Sequence, residues 1–189
     1  VGLELSFRGD IRQLVEPEPF RAELLGHATL PATDREALVE FQREVSEFSR
    51  VMTGAEQLAG ELTEKLAAIR LSLMQTPAGE ELLPEVDALE DRLDDFLYRL
   101  EGPESRASWE ELPPMEMPLN RRLRVMIRTH WSSTSELTQT EKEQLAILRE
   151  EFPPMLEELE SIHGEIRQLD RTLEDMNAPW TPGRIPRLE

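Results

Sequence analysis

LVEFQREVSEFSRVMTGAEQLAGELTEKLAAIRLSL, running from Leu38 to Leu73, is the stretch that decides the fold. Its apolar positions Leu38, Phe41, Val45, Phe48, Met52, Ala55, Ala59, Leu62, Leu66, Ile69 and Leu73 are separated only by steps of three and four. That spacing lines one side of a helix with apolar groups, and five heptads of it need packing partners along their whole length. A start signal precedes the run. Thr33 with Glu36 is a capping-box pattern, and Asp34 adds negative charge where the first amides of a helix are free.

Working outward, a second run follows the break at Thr76-Pro77-Ala78-Gly79: Leu82, Val86, Leu89, Leu93, Phe96 or Leu97, and Leu100. Gly102-Pro103 stops it, because glycine accepts the left-handed cap and proline cannot resume the helix. An irregular, Pro- and acid-rich connection to Pro118 leads to a short helical segment carrying Leu119, Leu123, Met126, Ile127 and His130. The third seam is Leu145, Leu148, Phe152, Met155, Leu159, Ile162, Ile166, Leu169, Leu173 and Met176, with Thr138/Glu141 or Thr140/Glu143 to cap its start. Pro153 and Pro154 interrupt its hydrogen bonds but not its phase, which predicts either a kinked helix or two helices in register.

These lengths predict a mainly α fold: a long antiparallel helical bundle with three legs, the middle one broken. A four-helix variant arises if the short segment reverses direction. In residues 1–30 the pattern changes, with Leu3, Leu5 and Phe7, then Phe20, Ala22 and Leu24, alternating at a period of two. They read as two short strands that end an upstream domain, since two isolated strands are marginal on their own. The bundle occupies 31–177, and 178–189 is an extended, Pro-rich tail. The first residue is Val, which favours a processed or excised chain.

Charge narrows the function classes. The chain has 21 Lys+Arg against 39 Asp+Glu, a net charge of −18, so its surface repels phosphate and anionic lipid; neither nucleic acid nor a membrane is expected as partner. No apolar run reaches the length of a membrane span. Without cysteine there is no thiol chemistry, and no nucleophile motif is present, so the chain reads as non-catalytic and without a cofactor.

Glu160 and His163 form one E-x-x-H pair, the spacing with which di-iron bundles hold metal. Such sites need a second pair, and neither His27 nor His130 has a Glu three residues before it. His163 followed by Gly164 also suggests a phosphotransfer histidine, without its usual Lys-Gly companion. Paired acids, as in DRLDDF, read as solvated faces. Met115, Met117 and Met126 read as gap-filling core, and Trp109 and Trp131 as clamps on the short helix.

LEDMNAPWTPGRIP, near the C-terminus, resembles the end of bacterial sortilin-like proteins that carry neuraminidase-type repeats on a β-propeller and bear a glycosyl hydrolase label. RRLRVMI and LTQTEKEQLAILREEFPPMLEELE fit the same order of elements. The resemblance implies a helical C-terminal module, an exported protein, and the upstream propeller of the same polypeptide as partner, with homo-oligomerisation also open. It implies no catalytic residue here, because no Asp-box of the S-x-D-x-G-x-T-W kind occurs. Within the tail, Trp180 and Ile185 are expected to dock on the bundle or the propeller, with Arg184 and Arg187 meeting an acidic surface. A free-standing helical adaptor is the remaining alternative.

Overall fold

The computed structural model describes residues 3–7, 10–16, 18–19, 21–23, 30–103, 115–130 and 133–186. Four helices dominate it: α1 (Arg35–Met74), α2 (Leu83–Glu101), α3 (Leu119–His130) and α4 (Gln139–Asp175). On α1 every seam position is buried except Phe48, which is half-buried and meets Phe152 edge-on at 6.2 Å. In α2 the choice between Phe96 and Leu97 resolves to Phe96; Leu97 is half-buried beside it. Along α4 the seam from Leu145 to Leu173 is buried throughout, and Met176 is half-buried.

Side-chain pairs between legs fix their directions. Glu44 binds Arg149 and Lys65 binds Asp170, so α1 and α4 run parallel with a constant offset of 105 residues. Arg70 near the end of α1 binds Asp87 and Glu90 near the start of α2, which therefore runs back along α1. Asn120 donates to Glu56 while Gln42, farther down, donates to the carbonyl of His130. The short helix α3 thus continues in the direction of α2, giving three legs and a broken middle one rather than a reversal.

The caps differ from the sequence reading at one end. Asp34, not Thr33, caps α1 through its side chain to the amide of Ala37 at 2.9 Å. Thr33 is drawn away because its amide and hydroxyl both donate to Glu136. On α4 the Thr138–Glu141 capping box forms. That helix is continuous through Pro153 and Pro154. The carbonyls that the missing amides leave free belong to Arg149 and Glu150, both exposed, so water can satisfy them.

Between α1 and α2 the turn is tight. Ala78 sits at φ 60°, and Gly79 packs so closely that a Cβ on it would lie 2.2 Å from the carbonyl oxygen of Leu73. Gly79→Ala must push that backbone aside, and a loss of about 1–3 kcal/mol is expected from urea unfolding. Ala78→Gly should move the midpoint the other way by about 1 kcal/mol, because it relieves a left-handed alanine.

Before the bundle, Leu3–Phe7 (β1) pairs antiparallel with Asp10–Val15 (β2). The expected second strand around Ala22 is not found: Arg21–Glu23 is irregular, while Phe20 and Leu24 lie outside the described residues. The pairing partner comes sooner, at Asp10–Val15, where Ile11, Leu14 and Val15 supply β-branched and apolar side chains.

Candidate functional site

The end of the bundle where α1 and α4 begin holds a buried polar cluster. Pro31 bridges Ser135, Ala32 donates to the carbonyl of Thr134, and Glu136 donates from its amide to the carbonyl of Leu30. This strap brings the two helix starts together. Below it, the last residue of α3 meets the first turn of α4: His130 Nε2 lies 2.8 Å from Glu141 Oε1, and the two residues are only 5% and 6% exposed. Thr129 donates its hydroxyl to the same oxygen at 2.7 Å, and the amide and hydroxyl of Thr138 donate to the other. Phe41 covers the imidazole edge-on at 5.7 Å, and His130 Nδ1 is buried without a partner.

Burial alone would raise the Glu141 carboxyl; the Thr129 hydroxyl, the amide and hydroxyl of Thr138, and His130 together overcome it and lower the carboxyl from 4.5 to about 2. Because the folded value lies below the unfolded one, the stability it contributes is complete above pH 4.5 and disappears as pH falls to about 2. The contribution is on the order of 3 kcal/mol. Urea midpoints of the wild type should therefore fall across that acid window by more than those of Glu141→Gln, which has no such carboxyl to protonate.

Beside the cluster, a groove of about 430 Å³ opens between α1 and α3. Its floor is Phe41, Val45 and Met126, and its rim includes Gln42, Ser49 and Arg50. Ser46 and His130 line it as well, and among the described residues neither Ser46 nor Ser49 is hydrogen-bonded to the imidazole, whose Nε2 is turned to Glu141. The buried pair acts as a bolt between three helices, since a carboxylate with four donors is satisfied where it stands.

The sequence candidates for metal or phosphate chemistry lie elsewhere. Glu160 is exposed and His163 half-buried on the outer side of α4. Among the described residues no group of three His, Asp or Glu is placed to hold a metal ion. His27 lies outside the described residues, as do Trp109 and Trp131.

At the opposite end, the tail folds into a clasp. Asn177 adopts φ 51°, the amide of Ala178 reaches the carbonyl of Leu173, and the amide of Asn177 reaches that of Glu174. These two bonds make a Schellman motif, with Ala178 buried over the helix end, and this is why α4 stops at Asp175, before the left-handed Asn177. Thr181-Pro182-Gly183-Arg184 then forms a turn closed by the Arg184 amide on the Thr181 carbonyl at 3.2 Å. Proline second and glycine third, at φ 88°, is the type II arrangement.

Trp180 Nε1 donates to the carbonyl of Arg184 at 2.6 Å, and the Arg184 guanidinium donates back to the carbonyls of Pro179 and Ala178. Ser72 anchors the loop through the Pro179 carbonyl at 2.9 Å, Thr181 is fully buried, and Gly183 lies over Lys65. Of the two docking surfaces expected for Trp180 and Ile185, the bundle and the propeller, the bundle does not take them. Ala178, Thr181 and Gly183 seat the tail, while Trp180 and Ile185 remain 58% and 74% exposed. Arg184 faces tail carbonyls instead of acidic side chains because the turn folds it back on its own loop. Arg187 lies outside the described residues.

No family model matches the chain, and neither a curated protein nor a solved structure matches it.

Proposed function

We propose that this chain is a non-catalytic helical module whose work is domain packing and protein recognition. The observation that carries the proposal is the clasp: a tail built with a Schellman stop, a type II turn and reciprocal Trp180–Arg184 bonds, yet holding its two largest apolar side chains out to solvent. Folding gains little from a tryptophan so placed, whereas an interface gains much from a rigid aromatic anchor. The buried His130–Glu141 pair, saturated with internal donors, supports a structural use of the only close histidine–carboxylate contact among the described residues.

A sortilin-like propeller is the partner suggested by the tail sequence. Calorimetric titration of the chain with a separately produced propeller of that class, alongside metal analysis of the purified chain, tests the reading. Saturable binding weakened by Trp180→Ala is the expected result. Stoichiometric zinc, iron or manganese lost on Glu160→Gln or His163→Ala would overturn it in favour of a metalloprotein.

A further inference from the structure

We infer that the clasp end is a docking site for a basic segment of a partner protein, one that sets a Lys or Arg side chain against Trp180 and an apolar neighbour on Ile185. The inference rests on the recognition reading above and assigns it a place and a chemistry.

The geometry is specific. A groove of about 540 Å³ is lined by Glu174, Asp175, Asn177, Trp180, Ile185 and Pro186, among others. The indole N–H is already held by the Arg184 carbonyl, so what Trp180 offers a partner is its apolar, electron-rich face. A cation over such a face is attracted by the ring quadrupole, and Glu174 and Asp175, both exposed on the last turn of α4, supply counter-charge. Arg184 also lines the groove, but its guanidinium is turned to the Pro179 and Ala178 carbonyls. Two carboxylates against one engaged cation leave the rim acidic.

Charge selects the occupant. A second copy of the chain, itself at −18, would bring like charge to this rim, whereas a basic segment is steered towards it. Because the turn, the cap and the Ser72 anchor already fix the loop, binding has little ordering to do.

The test follows the Trp180 indole resonance by 15N NMR on the full chain, assigned with Trp180→Phe. The probes are two capped pentapeptides, Leu-Arg-Leu-Arg-Leu and Leu-Glu-Leu-Glu-Leu. A saturable shift with the arginine peptide is expected, at least about tenfold weaker with the glutamate peptide and weakened several-fold by Glu174→Gln with Asp175→Asn. All three side chains are exposed, so these variants fold. Equal responses to both peptides, or none at millimolar arginine peptide, overturn the inference. Perturbations mapping to another face sink the clasp as the site but leave the recognition reading standing, which the propeller titration tests by itself.

Discussion

Glu141→Ala is expected to lower the unfolding free energy by about 3–5 kcal/mol, as removal of one partner from a buried charged cluster does. The substitution deletes the acceptor of four contacts at once: the Thr129 hydroxyl, the Thr138 amide and hydroxyl, and His130 Nε2. It also removes the capping box that starts α4. What makes the loss large is the stranded group more than the lost bond. His130 is 5% exposed with Nδ1 already unpartnered, so without Glu141 neither ring nitrogen has a protein partner. Replacing both residues by apolar ones, Glu141→Leu with His130→Phe, should recover a large part of the loss, because no buried polar ring then remains. Urea unfolding at neutral pH measures both. A single variant within about 0.5 kcal/mol of wild type would mean that the cluster does not bolt the three helices, since surface substitutions fall in that range.

Leu66→Ala is expected to cost about 2–5 kcal/mol. Leu66 is completely buried midway along the core that α1 shares with α2 and α4, so its truncation removes packed methyl groups and leaves a cavity. Leu71, five residues on and 60% exposed, provides the comparison: Leu71→Ala should change the midpoint by less than about 0.5 kcal/mol. Comparable losses at the two positions would contradict the assignment of seam and surface on α1.

Helix phase explains why the fold was so readable. A seam of threes and fours names the buried side of α1 and α4 without any tertiary information, and the interruption at Gly102-Pro103 marks where the middle leg breaks. The cap of α1 was misplaced by one residue because Thr33 is engaged by Glu136, 103 residues away, a contact that local pattern cannot contain. The polar cluster was hidden for a similar reason. Thr138 and Glu141 read as one of two possible caps, and only the packing of α3 across that helix start buries the carboxylate against His130. At the tail the signals were local and present: Asn177 as a left-handed stop and Pro182-Gly183 as a type II turn. Between the bundle and the propeller as docking surface for Trp180 the sequence could not choose, since an unpaired aromatic gives no hint that Arg184 will capture its N–H and leave its ring outside.

The three-legged arrangement has a mechanical consequence. With an even number of legs a chain enters and leaves a bundle at one end; with three it leaves at the far end, and here α1 starts and α4 finishes about 55–60 Å apart. The parallel long helices, cross-linked along their length by Glu44–Arg149 and Lys65–Asp170, make that separation stiff. The Trp180 clasp therefore sits a fixed distance from the strap at Pro31 and Ser135, and a pull between those points loads both long helices together along their axes.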